Sequence, residues 1–163
     1  MARLYERFAP LVYGYALRRS DRETAEEVTA EVFLVAWRRR EDLPAEPLPW
    51  LYGVARRVLS QQRRGAGRRR ALRDRLRYAS TGPVETALEL SDRSLAAALA
   101  RLSEGDREAL LLRYWEELAP ERVAEALGCS RGAAAVRLHR ARRRLARELT
   151  LQVSDACVEA SST

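Results

Sequence analysis

Lysine, asparagine and isoleucine are absent from this 163-residue chain, which has a single histidine, His139, and two cysteines, Cys129 and Cys157. The three missing residue types share A/T-rich codons, so a GC-rich coding sequence accounts for their joint absence and for the fact that all 30 basic residues are arginine. Neither cysteine belongs to a CxxC pair or lies near a second histidine, which excludes a zinc-site spacing, and two cysteines do not make a disulfide framework. No metal and no cofactor is expected. Phosphate-binding loops and nucleophile–base constellations are also missing, so the chain does not read as an enzyme. No apolar run approaches membrane-spanning length, and the opening MARLYERFAP lacks the apolar stretch of a signal peptide. A cytoplasmic protein without membrane insertion is therefore expected.

What the chain has instead is arginine, unevenly placed. The formal net charge is +7, a balance that favours a polyanionic partner. By segment the net charge is +6 over residues 1–70, zero over 71–100, +3 over 101–150 and −2 over 151–163. From Leu48 to Arg73 there are eight arginines and no acid, and from Gly128 to Arg147 seven arginines and no acid. Both halves thus offer a basic surface. Hydrophobic residues make up 47% of the chain, enough for a folded core.

The apolar periodicity is helical throughout, and no strand-like alternation stands out, so the fold class is all-α. Leu4, Phe8, Leu11, Val12 and Tyr15 mark a first helix over about 3–19. Ser20 and Glu23 form a capping-box pattern for a second, reaching about Arg39, with Ala25, Val28, Val32 and Val35 on one face. Pro44, Pro47 and Pro49 predict a loop, followed by a third helix from Trp50 to about Arg64, ended by Gly65 and Gly67. Residues 65–86 read as a linker in which Arg70–Tyr78 can form a helical turn or two. Further helices follow over about Val84–Arg101, Glu104–Glu117, Pro120–Leu127 and Arg131–Thr150. Ser103 and Ser130 serve as caps and Pro120 as a first-turn residue. A polar, frayed tail closes the chain. The organisation is thus two small helical domains on a flexible linker: residues 1–66, a linker 67–86, residues 87–150, and a tail 151–163.

Pro120–Arg147 has the helix-turn-helix pattern: a short helix burying Val123, Ala124 and Leu127, the tight Gly128-Cys129-Ser130 turn, and a longer basic helix. In that helix Ala134, Leu138, Ala141, Leu145 and Leu149 form one narrow apolar stripe. The opposite face carries Gly132, Ala135, Val136, His139, Arg140 and Arg143, placed to enter a major groove, with Arg137 and Arg144 beside it for phosphates. A basic amphipathic helix can also be merely a solvated face, but twenty residues without an acid are unusual in a chain this rich in carboxylates. Cys129 in the turn is expected to be a small buried residue.

The helix from Trp50 buries Leu51, Val54, Ala55, Val58 and Leu59 and leaves Arg56, Arg57, Ser60, Gln61, Arg63 and Arg64 outward, a second candidate nucleic-acid surface. Trp37, Trp50 and Tyr52 flank the proline loop. Such aromatics can stack on an unpaired base, although for Trp37 and Trp50 a place in the core is the commoner use. Glu23, Glu27 and Glu31 recur every four residues on the second helix, a stripe that is usually just solvated but can meet a basic protein partner.

These segments together resemble a group IV, extracytoplasmic-function (ECF) RNA polymerase sigma factor of the sigma-70 family. TAEEVTAEVFLVAW (Thr24–Trp37) and WLYGVARRVLSQQRR (Trp50–Arg64) are similar to the second-region patterns DxAEDxxQExFxxAW and WLxxIARNxxxDxxRR. LSEGDREALLLRYWEELAPERVAEALGCSRGAAAVRLHRARRRL (Leu102–Leu145) is similar to the fourth-region pattern LPxxxRxVxxLRYxExLSxxEIAExLGxSxGTVKSRLHRARxxL. The resemblance covers about Leu4–Leu149. It implies a promoter-specificity subunit without catalysis of its own, whose first domain docks on the coiled coil of the largest polymerase subunit and reads and melts the minus-ten element. The second domain then reads the minus-thirty-five element and rests on the flap of the second-largest subunit. Core RNA polymerase and promoter DNA are the implied partners, and an anti-sigma factor is common in the family.

Carried onto this sequence, the resemblance assigns Glu26, Glu27, Glu31 and Trp37 to core-polymerase binding. It assigns Trp50, Arg56, Arg57, Ser60, Gln61, Arg63 and Arg64 to the minus-ten element, and Arg131, Ala135, Val136, Arg137, His139, Arg140 and Arg143 to the minus-thirty-five element. The sequence departs from the pattern at Ala30, Arg57 and Gln61, where glutamine, asparagine and aspartate are usual. It departs again at Ala133-Ala134-Ala135-Val136, where Thr-Val-Lys-Ser is usual. Ala135 and Val136 can offer only apolar contact, as to a thymine methyl, which leaves Arg137, His139 and Arg140 as the polar readers. The alternative reading is a conventional helix-turn-helix regulator with an amino-terminal effector or dimerisation domain. It would leave the Leu48–Arg73 basic block unemployed.

Overall fold

The computed structural model describes the backbone of residues 1–74 and 90–160 and the side chains of residues 1–64 and 94–151. Seven helices and no strands are present among the described residues. The chain divides into two compact units, Met1–Val84 and Glu85–Thr163.

In the first unit α1 (Ala2–Leu17), α2 (Arg22–Arg38) and α3 (Pro47–Asp74) pack mutually. Phe8, Val12, Tyr15 and Ala16 of α1 are buried, as are Ala25, Val28, Thr29, Val32, Phe33 and Ala36 of α2. From α3 come Leu51, Tyr52, Val54, Ala55 and Leu59. Tyr15, fully buried, stacks on Tyr52 at a centroid distance of 4.8 Å. The Arg19 guanidinium also lies over the Tyr15 ring, 3.6 Å from its centroid. The hydroxyl of buried Thr29 donates to the Ala25 carbonyl, so no polar cost attaches to its burial.

Several local expectations change in this unit. The cap of α2 is Asp21, whose Oδ1 accepts from the Thr24 amide at 2.8 Å, and not Ser20, whose hydroxyl donates back to the Ala16 carbonyl. The third helix begins at Pro47 instead of Trp50. Proline is at home in a first turn, where its missing N–H would have had no partner, so Pro47 and Pro49 open the helix where a loop was expected. Gly65 and Gly67 do not end it. The helix runs on to Asp74, because a helical glycine costs only about 1 kcal/mol relative to alanine and the arginine-rich segment beyond, with Ala71 and Leu72, favours helix. Val58 is half-buried, and Trp37 is 54% exposed instead of part of the core. By helical geometry Trp37 lies about 140° round from Val32, off the buried face.

In the second unit α4 (Leu90–Arg101), α5 (Glu104–Tyr114) and α6 (Pro120–Leu127) all pack on α7 (Arg131–Ala160). Ala98, Leu102, Ala109, Leu110, Leu112, Leu118, Val123, Leu127, Ala134, Leu138 and Ala141 form the core. Ser103 caps α5 by accepting from the Asp106 amide, as expected. That helix stops at Tyr114, short of Glu117, because the backbone turns there: Glu117 has φ 54°, and the Leu118 amide closes back on the Leu112 carbonyl. At the other end α7 continues as helix through the segment expected to be a frayed tail, as far as Ala160. The expected start of α4 at Val84 and the turn over residues 75–78 lie outside the described residues.

The Asp21 cap makes one part of the stability depend on pH. Its bond to the Thr24 amide holds the carboxyl below the ordinary aspartate range. A depressed folded-state pKa contributes stability that is present above the unfolded pKa of about 4 and lost as pH falls through the folded one. Asp21→Ala is therefore expected to lower the thermal midpoint at pH 7. The gap between variant and parent should close on acidification below about pH 4, read by circular dichroism melts across that range.

Candidate nucleic-acid interface

The turn between α6 and α7 is built by backbone chemistry that the sequence specifies. Gly128 ends α6 in the left-handed region (φ 67°), where a side chain would be strained. The Cys129 amide donates to the Ala124 carbonyl and the Gly128 amide to Glu125, the two bonds of a Schellman motif. Ser130 then starts α7 by accepting from the Ala133 amide at 3.2 Å. Cys129 is half-buried, less enclosed than expected.

The expected apolar stripe is present on α7, with Ala134, Leu138 and Ala141 buried and Leu145 and Leu149 half-buried. Arg131, Ala135, Val136, Arg137, His139, Arg140 and Arg143 are all exposed. Of these, Arg131, His139, Arg140 and Arg143 make no side-chain hydrogen bond or ion pair among the described residues, so their donors are available to a ligand. Val136, half exposed, sits among them.

Two arginines on one flank are engaged within the unit. The Arg137 guanidinium lies along Gly105 of α5, where an added Cβ would come within 3.2 Å of it. Arg144, expected beside the phosphates, is instead ion-paired with Asp106, because the flank of α7 that it occupies faces the first turn of α5.

In the first unit Arg57, Gln61, Arg63 and Arg64 are exposed on α3, while Trp50 and Ser60 are half-buried. Arg57 Nε donates to the Gly53 carbonyl one turn back. One member departs from the outward face that periodicity predicts, and another, though exposed, is bonded within the unit. Arg56 is half-buried, its Nε shielded from solvent, and Arg63 donates to the Arg19 carbonyl just past the end of α1 at 3.0 Å. That bond ties α3 to the segment that follows α1.

The acidic positions of α2 are exposed. Glu26 pairs with Arg22 at 3.2 Å, and Glu27 accepts from Gln62 of α3 at 3.3 Å. Glu31 makes no such contact among the described residues. Trp37 stands out from the same helix with the Arg40 guanidinium 5.6 Å from its ring. The arrangement joins an acidic helix edge, an exposed indole and, on the next helix, a basic face.

Sequence reading missed two features. Asp106, 7% exposed, holds α7 from the side. Its signal was an acid at the third position of α5, which looked like ordinary first-turn chemistry. The other is an apolar groove of about 330 Å³ between α4, α5 and α7, flanked by the exposed Tyr114 and Trp115. No helix among the described residues is long and apolar enough to cross a membrane, and no group of metal-ligating side chains gathers there.

Comparison with known proteins matches both units in chain order. Residues 4–69 match the family described as sigma-70 region 2, and residues 92–145 match sigma-70, region 4. RfaY of Xanthomonas campestris pv. campestris, a probable RNA polymerase sigma factor, is 33% identical over 139 residues, 79% of this chain and 35% of that protein. The ECF RNA polymerase sigma factor BldN of Streptomyces coelicolor is 31% identical over 163 residues, 90% of this chain and 59% of that protein. The chain thus spans between a third and three fifths of these relatives. Among solved structures, the sigma factor RpoE in complex with the anti-sigma factor NepR from Bartonella quintana has the same fold, with a TM-score of 0.69 and 24% identity. The match covers 91% of this chain and 96% of that one.

The two faces of α7 should respond oppositely to truncation. Leu138→Ala removes a buried side chain and is expected to destabilise the second unit by about 2–5 kcal/mol. Val136→Ala, on the exposed face, should stay within about 0.5 kcal/mol of the parent. Urea denaturation followed by circular dichroism measures both.

Proposed function

Because the chain belongs to the sigma-70 family of RNA polymerase sigma factors, in its extracytoplasmic-function group, we propose that it binds core RNA polymerase and directs promoter-specific initiation of transcription. The observation that carries this reading is the pairing of two basic faces, on α3 and on α7, in two units that match sigma region 2 and region 4 in order. A conventional regulator would not need region 2 ahead of its helix-turn-helix. The work requires no catalytic group in this chain, since the polymerase supplies the chemistry. It belongs in the cytoplasm, where polymerase and DNA are.

The division of labour follows the chemistry of each surface. Residues 1–66 hold the polymerase through the exposed α2 edge of Glu26, Glu27, Glu31 and Trp37, acids and an indole suited to a basic coiled coil. The α3 face of Trp50, Arg57, Ser60, Gln61 and Arg64 meets the minus-ten element. Arg56, half-buried, and Arg63, exposed and bonded to the Arg19 carbonyl, belong to the same surface. Residues 87–150 read the minus-thirty-five element through Arg131, Ala135, Val136, His139, Arg140 and Arg143, with Arg137 at the margin, and contact the flap of the second-largest subunit. The solved relative RpoE was captured with an anti-sigma factor, and an inhibitor of that kind is a further partner proposed for this chain.

Reconstitution tests the reading. Purified chain added to core RNA polymerase should yield run-off transcripts from its own promoter that core alone does not make, and the absence of any promoter-dependent product would overturn it. Within that assay Arg140→Ala is expected to relax preference at one upstream base pair by about 1–3 kcal/mol, the worth of a bidentate guanine contact. Charge reversal at Glu31, which makes no ion pair or hydrogen bond among the described residues, should lower affinity for core several-fold, more so at low salt. Both are read by titrating holoenzyme activity.

A further inference from the structure

Arg137 and Arg144 stand seven residues apart on one flank of α7 and meet consecutive residues of α5, Gly105 and Asp106. Asp106 occupies the third position of that helix, from which an acidic side chain can reach back to the cap's own amide. Here only the backbone half of that exchange is made: the Asp106 amide donates to Ser103 Oγ. The carboxylate turns across to Arg144 instead, and it is almost wholly buried while its partner is 56% exposed. The helix beginning at Glu104 presents partial positive charge at that end, which by itself repels two guanidinium groups. A carboxylate is what lets them approach. Gly105 gives the room: with any side chain there, the Arg137 guanidinium would have to shift by a few tenths of an ångström.

Resting on the promoter-reading proposal, we infer that Asp106 is a positioning residue for upstream recognition: through Arg144 it fixes the rotation of α7 about its own axis, and so decides which side chains face the bases. The apolar stripe alone does not fix that rotation tightly. Ala134 and Ala141 are small, and a helix seated on alanines can roll over its neighbours with little loss of contact. An ion pair on one flank, backed by Arg137 against Gly105, stops the roll in one direction. Arg140, one short step round the helix from Arg137 and Arg144, is then held toward the exposed side. Arg144 serves the protein's own geometry and is not a phosphate ligand.

The test is single-round transcription by holoenzyme, assembled from the full chain and core polymerase, on promoters varied at each upstream base pair and at several salt concentrations. Asp106→Asn and Arg144→Gln should each narrow the spread between preferred and disfavoured upstream bases by several-fold, and the double variant should narrow it no further. Arg144→Lys should restore most of the preference, because an ammonium can still reach the carboxylate. The salt dependence should stay as in the parent. Should Asp106→Asn impair folding, the two Arg144 variants, at a largely exposed position, carry the test.

The inference is overturned if Arg144→Gln weakens all promoters equally and reduces the salt slope by about one, as loss of a phosphate contact does, while Asp106→Asn leaves preference intact. A parent holoenzyme indifferent to upstream sequence would instead overturn the promoter-reading proposal, and this one with it.

Discussion

An arginine cannot be buried without a partner, so a helix as rich in arginine as α7 has only one narrow line along which it can be held. That line is Ala134, Leu138 and Ala141, each buried, continued by the half-buried Leu145 and Leu149. Burying a leucine side chain is worth roughly 1.5–3 kcal/mol, and the small alanines let α5 and α6 come close to the α7 backbone. This seating turns the exposed cations of the helix away from the core. A polar residue at Leu138 would cost the unit its core and scatter the basic face in the same step.

The first unit solves the same problem differently. Its core is built on larger groups, with Tyr15 stacked on Tyr52 and the Arg19 guanidinium packed on the Tyr15 ring. Arginines here also bond the backbone: Arg63 donates to the Arg19 carbonyl just past α1, and Arg57 to the turn below it. Part of an arginine-rich composition is thus structural, and only the residue-by-residue partners separate structural cations from those left for a ligand. Two small units, each offering a modest basic face, suit a protein whose partner tethers both. Linkage raises the effective concentration of the second contact once the first is made.

The all-α class, the helix-turn-helix turn and the apolar stripe of α7 were legible in the sequence because each rests on local chemistry: 3.6-residue periodicity, glycine at a left-handed position, serine at a cap. What was not legible depended on choices between near-equal neighbours or on tertiary contact. Ser20 and Asp21 are both competent caps, and only the backbone path decides for Asp21. Gly65 and Gly67 resemble a helix end but are cheap enough to be carried through. Trp37 has the composition of a core residue, yet its helical phase turns it to solvent. Arg56, Arg63 and Arg144 share the pattern of outward-facing cations, and their engagement with the shielded interior, the Arg19 carbonyl and Asp106 follows from elements distant in sequence. In the candidate sites, then, the residue types could be read in advance, while the cations committed internally could not.

The central claim is that this chain contacts promoter DNA as a part of polymerase and not on its own. The most direct measurement is binding of the full chain to duplex promoter DNA at physiological salt, with and without core RNA polymerase, read as a footprint. The account predicts no stable protection by the chain alone and upstream protection once core is added. Tight, sequence-specific protection by the isolated chain, unchanged by core, would contradict it.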